Sequence, residues 1–197
     1  ITASLGNHRI RVSKKRNTAP GICSTSGFGQ SEDYTLEVFS AAPYCNNHYP
    51  VSVVPITNVS FARINNTTSA TTGSTAPVED FTDSSTVVVK GNTYNLSVKG
   101  SASGTHYIRV FFDWNNDNDF FDANESYDVG TITNSNGTDA IFASTNITIP
   151  ANATAAYTRM RVTKKSTGFA LPCDSANRGQ SEDYTIHIVD EIRAVTD

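Results

Sequence analysis

Tyr157-Thr-Arg-Met-Arg-Val-Thr-Lys164 sets Tyr157, Arg159, Arg161 and Thr163 against Thr158, Met160, Val162 and Lys164. Such a period of two suits a pleated strand with two distinct faces, whereas an amphipathic helix needs a period of 3.6. The strand also occurs twice. Arg9-Ile-Arg-Val-Ser-Lys-Lys15 aligns with Arg159-Met-Arg-Val-Thr-Lys-Lys165, Cys23 with Cys173, and Gly29-Gln-Ser-Glu-Asp-Tyr-Thr35 recurs unchanged as Gly179-Gln-Ser-Glu-Asp-Tyr-Thr185. Every match has the same offset of 150 without insertion, so the chain contains an internal repeat. Residues 1–40 read as the closing strands of one module, 44–190 as a complete second module, and 191–197 as a tail or linker. The boundary falls at Ser40-Ala-Ala-Pro43. A lone hairpin is marginal in water, so the remainder of the first module is expected ahead of Ile1.

Outward from that strand the pattern continues. Thr86-Val-Val-Val-Lys90 and Thr93-Tyr-Asn-Leu-Ser-Val-Lys99 flank Gly91-Asn92, a turn pair that suggests a hairpin. His106, Ile108, Val110, Phe112 and Trp114 share one face of a strand. Further strands are expected over 140–149, 157–164 and 184–189, with weaker candidates at 58–64 and 127–132. Thr, Ser and Asn occupy 64 of the 197 positions, and 29 Val and Ile stand against four Leu. These residues disfavour helix and suit a pleated surface, which rules out a helical bundle or a doubly wound α/β enzyme. The fold class expected is all-β, an antiparallel β-sandwich of Ig-like or jelly-roll-like form, in tandem modules. No apolar run approaches the roughly 20 residues that span a bilayer, so no membrane insertion is expected. A net charge of −4 argues against a nucleic-acid partner, which calls for a basic face.

The densest chemistry is Asp113-Trp-Asn-Asn-Asp-Asn-Asp-Phe-Phe-Asp-Ala-Asn-Glu125. Oxygen-bearing side chains stand at loop positions 1, 3, 5 and 7, with Glu125 at position 13. Calcium takes six to eight hard oxygen ligands, and alternate residues of a tight loop can turn several inward. Unlike an EF-hand, the loop is fed by a strand, and Asn118 stands where the EF-hand has Gly. Asn tolerates the left-handed turn. The loop carries −5 and no cation, leaving the rest of the chain at +1. Without a cation these carboxylates repel one another. The expected Ca²⁺ ligands are Asp113, Asn115, Asp117, Asp119 and Glu125, with the carbonyl of Phe121 or a water completing the set. Phe120 and Phe121 are expected to pack beneath the ion.

Hydrolytic machinery is not legible. His8, His48, His106 and His187 form no H-E-x-x-H pair, and Gly100-Ser-Ala-Ser-Gly104 puts Ala102 where a nucleophile elbow has its serine. The repeated Glu182-Asp183 reads as an ion pair with Arg159 or Arg161, or as a turn brace. Tyr44, Tyr49, Phe81, Tyr107, Trp114, Tyr127 and Tyr157 are available to stack on sugars, but the sequence singles out none.

The order Tyr44-Cys45, Asp80-Phe-Thr82, Asp113-Trp-Asn-Asn-Asp-Asn-Asp119, Arg159-Met-Arg-Val162, Cys173 and Gly179-Gln-Ser-Glu-Asp-Tyr-Thr185 resembles the GEVED domain, with Gln180-Ser181 replacing the family's usual Glu-Val. The resemblance implies a β-sandwich module of large secreted or cell-surface proteins of Bacteroidota-type bacteria. It further implies type IX secretion and an extracellular, calcium-replete setting. Asp174-Ser175-Ala176 matches the short O-glycosylation pattern of those bacteria. Cys45 opens the complete module and Cys173 precedes its closing motif, so these two are expected to form a disulfide. Cys23 then pairs outside the chain; Cys23–Cys45 is the competing arrangement. The function expected is a non-catalytic, calcium-stabilised repeat acting as spacer or adhesion module. Its partners would be neighbouring repeats and a surface glycan or protein. The alternative is an accessory module that binds carbohydrate or protein for a secreted hydrolase.

Overall fold

The computed structural model describes residues 6–21, 27–38 and 44–191. Cys23, the 40–43 linker and residues 192–197 lie outside that set. The chain divides into two compact units, residues 1–42 and 43–197. The first contains Gly6–Lys15 (β1) and Gly29–Val38 (β2), paired antiparallel. The second contains Ser52–Val53 (β3), Ile56–Phe61 (β4), Ile64–Thr67 (β5), Val78–Val89 (β6), Thr93–Phe112 (β7), Ser126–Asn136 (β8), Ala143–Thr148 (β9), Tyr157–Lys165 (β10) and Arg178–Val189 (β11). The described residues hold no helix.

Strand β7 organises the second unit because it belongs to both of its layers. Its first half lies between β4 and β9, and its second half between β10 and β8. The change comes at the register break between Ala102 and Thr105, where Gly104 has φ +80°. One layer is therefore β5-β4-β7-β9 and the other β6-β11-β10-β7-β8. They face each other across one core. Val59, Phe61, Leu96, Val98 and Ile147 meet Val88, Ile108, Val110, Phe112, Met160, Val162 and Ile186 there. Each fully buried side chain of this size stabilises the fold by about 1.5–3 kcal/mol. Phe112 is sandwiched, stacked on Trp114 at 4.4 Å and meeting Phe61 at 5.5 Å.

The all-β sandwich follows the sequence pattern, with two differences. The sheet is mixed rather than purely antiparallel: β3 and β6 both run parallel to β11, along one of its edges. The segments either side of Gly91-Asn92 do not form a hairpin either. β6 pairs with β11, whereas β7 pairs with β4 and β9, so the turn is an arch between layers. Gly91 still supplies the left-handed turn at φ +77°. The arch's backbone groups find partners elsewhere: Lys90 N–H donates to the Val189 carbonyl, Gly91 N–H to the Ile149 carbonyl, and Ile149 N–H to the Asn92 carbonyl.

The repeated motif is a set of buried polar contacts. Arg161 donates Nε and Nη2 to the two oxygens of Asp183, both at 2.7 Å. Its Nη1 reaches the carbonyls of Cys45 (2.5 Å) and Pro172 (3.3 Å). Those carbonyls flank the Cys45–Cys173 disulfide, which closes a separation of 128 residues and stabilises by about 2–5 kcal/mol. Arg159 also reaches Asp183, at 3.1 Å. Gln180 accepts Ile56 N–H and donates to Ala76 and Glu79. Ser181 joins Asn47 and Tyr49, and Glu182 accepts the Tyr184 hydroxyl at 2.6 Å. At Gly179 a Cβ would lie 2.3 Å from the Tyr49 ring, so no other residue fits. On the neighbouring strand, buried Lys164 donates Nζ to the Val54 and Ser101 carbonyls.

The hairpin β1–β2 keeps the same register, Arg11 opposite Asp33 as Arg161 is opposite Asp183. Arg11 and Asp33 also make the same bidentate pair, at 2.6 and 2.7 Å. Burial differs: Tyr34 is 52% exposed where its counterpart Tyr184 is fully buried.

Two outcomes follow from these contacts. Asp183→Asn leaves the Arg161 charge buried without its partner and should lower stability by about 3–5 kcal/mol in urea unfolding. Asp33→Asn, at the solvated copy, should leave the curve unchanged; equal losses would refute the burial argument. The second outcome concerns pH. Burial pushes the Glu182 carboxyl from 4.5 to about 8. The folded chain then binds more protons there than the unfolded one between those values, and stability falls as pH rises through that window. Burial pulls Lys164 from 10.5 down to about 7. The unfolded chain then binds more protons, so stability rises with pH between those limits. Glu182→Gln should flatten the acid-side decline in melting temperature while leaving the alkaline rise.

Candidate metal centre

The acidic loop begins where β7 ends. Asp113, fully buried, shapes it: Oδ1 accepts the N–H groups of Asn116 (2.5 Å) and Asp117 (3.2 Å), and Oδ2 accepts Asn118 N–H (3.0 Å) and the Tyr44 hydroxyl (2.5 Å). A carboxylate offers about four lone-pair positions, and all are taken. Asp113 therefore builds the loop in this structure instead of facing a metal. Its carboxylate holds Asn116 and Asn118 in the left-handed region, at φ +62° and +71°. Asn118 thus does what Gly does in an EF-hand, at little cost for a residue whose side chain is short and polar.

The next alternate residues each cap the backbone two positions on. Asn115 Oδ1 accepts Asp117 N–H, Asp117 Oδ1 accepts Asp119 N–H, and Asp119 Oδ1 accepts Phe121 N–H. Each residue of this staircase turns its side chain to the same side. One carboxylate oxygen from each of Asp117, Asp119 and Asp122 lies within 4.8 Å of the others. The Asn115 amide bridges Asp117 and Asp122 at 2.9 and 2.7 Å. The structure thus gathers three of the expected residues, Asn115, Asp117 and Asp119, and adds Asp122, which the alternate-position rule omits. The only sequence sign of Asp122 was its part in the loop's charge.

Glu125 stands apart from that trio. It is buried, and its Oε1 accepts Trp114 N–H at 2.7 Å, while Oε2 has no partner. Burial pushes this carboxyl up to about 7, and the neighbouring Asp113 charge adds to the rise. Asn115, Asp122 and Glu125 share the wall of one cleft on the Trp114 side. The donors present are all hard oxygens, with one of them buried and unsatisfied. Such a set suits calcium and not a thiolate- or imidazole-bound metal.

The two phenylalanines separate, contrary to expectation. Phe120 is buried, stacked on Tyr44 at 4.9 Å, against Phe111, and under the Arg161 guanidinium at 5.3 Å. Phe121 is 67% exposed and packs under nothing. The strict alternation of the capping staircase sends adjacent residues to opposite sides, so only one of them reaches the core.

The other candidates serve the fold. Ala102 is buried within β7. His106 is buried with Nδ1 unpartnered, and burial pulls its pKa down to about 4. His187 stacks on Tyr157 at 4.1 Å. Asp183 is held by two arginines, as described, and Glu182 is held by Tyr184 and Thr68.

No match was found among curated protein sequences. A solved structure described as a family 123 glycoside hydrolase from Clostridium perfringens overlaps 60% of this chain and 24% of its own, at 13% identity and a TM-score of 0.34. The chain thus spans about a quarter of that protein, and a likeness so distant says nothing about activity. Residues 107–187 match the GEVED domain family. That span holds the acidic loop, Arg161, Cys173 and the Gly179–Thr185 motif, so the match falls on residues that carry the resemblance and supports it for the second unit.

Proposed function

We propose that the chain is a non-catalytic, calcium-stabilised β-sandwich module of a secreted or cell-surface protein, serving as a spacer or adhesion repeat beside neighbouring modules. The observation that carries this reading is the convergence of Asp117, Asp119 and Asp122 on a loop whose buried Glu125 retains a free oxygen. Calcium would be held by these carboxylates and the Asn115 side chain, with the Phe121 carbonyl or water completing a set of six or more oxygens. Asp113 would act one step back, by shaping the loop. Bound calcium supplies positive charge that offsets the repulsion. The small octahedral cage that magnesium requires matches this open cluster poorly.

The Cys45–Cys173 disulfide supports an extracytoplasmic setting, because such bonds persist where the environment is oxidising. No helix among the described residues is long and apolar enough to cross a membrane. The internal repeat supports a tandem arrangement in which like modules follow one another.

Extracellular modules bind calcium with Kd on the order of 10⁻⁴ to 10⁻³ M. At 100 times Kd, binding to the folded form alone adds about 2.7 kcal/mol, roughly 5–10 °C in melting temperature for a domain of this size. Chelator should therefore lower the melting temperature by about that amount, and added calcium should restore it. Asp117→Ala should remove the dependence and Asp83→Ala, an acidic change outside the loop, should keep it. A melting curve indifferent to chelator would refute the calcium reading.

A further inference from the structure

A second cleft, of 170 Å³ and sharing no lining residue with the one beside Glu125, is lined by Tyr44, Asn116, Asn118, Tyr157, Arg159 and Thr185 among others. Tyr157, Asn116 and Asn118 are the groups there with polar or aromatic surface to spare. Tyr157 opens β10 and is 65% exposed, yet its ring is fixed, lying nearly parallel to His187 at 4.1 Å. A rigid exposed aromatic loses little entropy when a ligand stacks on it. Asn116 and Asn118 are pinned at positive φ by Asp113, and their side-chain amides make no hydrogen bond among the described residues. Each amide therefore presents a free donor and a free acceptor.

The charges narrow the ligand class. Arg159, the only charged residue in the lining, is already compensated: its Nη1 lies 3.1 Å from Asp183 and its guanidinium sits over the Tyr44 ring at 4.4 Å. The acidic staircase lies a few residues along the loop and repels anions. An extended peptide finds little edge to join, because β10 is paired with β11 along its length and with β7 from Met160 on, and the Arg159 carbonyl already accepts Asp113 N–H. The volume is below that of ordinary drug-sized sites and suits a single ring. A neutral ring with an apolar face and adjacent hydroxyls matches all of these constraints.

We propose that this cleft binds a neutral pyranose unit of a surface glycan, with Tyr157 as the stacking face and Asn116 and Asn118 engaging neighbouring hydroxyls. The proposal rests on reading the chain as a non-catalytic adhesion module and names the ligand class that such a module would hold.

Saturation-transfer NMR on the full chain tests it, with the methyl glycosides of glucose, galactose, mannose and N-acetylglucosamine as probes and glucitol as the open-chain control. At least one glycoside should bind saturably and glucitol should not. Tyr157→Ala should weaken that binding roughly tenfold, on the scale of one aromatic contact, with an unchanged melting temperature. Asn118→Gly keeps the left-handed turn, deletes only the amide, and should also weaken binding. The proposal is overturned if no glycoside gives a signal, if glucitol binds equally well, or if both variants bind like the parent. Such failure leaves the chelator response of the module untouched. Release of p-nitrophenol from the matching aryl glycosides would instead overturn the non-catalytic reading.

Discussion

The Arg161–Asp183 pair is the contact on which the rest of the second unit depends. Both residues are buried, so neither charge is tolerable alone. Asp183 fills one edge of the guanidinium, and the carbonyls of Cys45 and Pro172 take the donors that remain. The disulfide brings those two carbonyls to the same place, since Cys45 and Cys173 sit on the segments that carry them. Arg161 also lies over Phe120, which stacks in turn on Tyr44. From there the Tyr44 hydroxyl reaches Asp113 and hence the turn of the acidic loop. Strand pair, disulfide and loop are thus joined through one guanidinium. In the first unit the identical pair forms in the identical register while exposed, where solvent screening leaves it little weight.

Much of this arrangement was legible from residues alone. Alternation placed His106, Ile108, Val110, Phe112 and Trp114 on one buried face, though not the burial of Phe111 and Asp113 on the other, and the repeated Glu182-Asp183 pointed to an ion pair with Arg159 or Arg161. The disulfide partners followed from their positions in the repeat. What escaped was the choice of partner strand. Period two says that Val88, Leu96 and Val98 face a core, but not that β6 and β7 reach that core from opposite layers. Gly91-Asn92 serves a hairpin and an arch equally well, because Gly relieves the same left-handed strain in both. The parallel edge at β3 and β6 was hidden for a related reason: Gln180 anchors Ile56 and Ala76 through its side-chain amide, a contact that no local pattern reveals.

In the acidic loop, spacing and hydrogen bonding select different residues. Spacing identifies which residues can face inward but not which oxygens are already in use. Asp113 sits at the position expected of a first ligand, yet backbone N–H groups and Tyr44 claim its lone pairs. Asp122, off the alternation, is tied in by the Asn115 amide, which bridges it to Asp117. Burial of Phe120 and exposure of Phe121 follow from the same alternation.

The motif Gly179–Thr185, repeated unchanged, is fitted position by position into its surroundings. Gly179 yields to the Tyr49 ring, Ser181 completes a triad with Asn47 and Tyr49, and Thr185 donates to the Thr82 carbonyl. Gln180 is the instructive position, since the related family usually has Glu there. Its site requires one acceptor, for Ile56 N–H, and donors for the Ala76 carbonyl and Glu79. An amide satisfies both halves, whereas an ionised carboxylate accepts only and would face Glu79 as a like charge. The substitution therefore belongs with Glu79: where that neighbour is an acid, the buried position calls for a neutral side chain that can both give and receive.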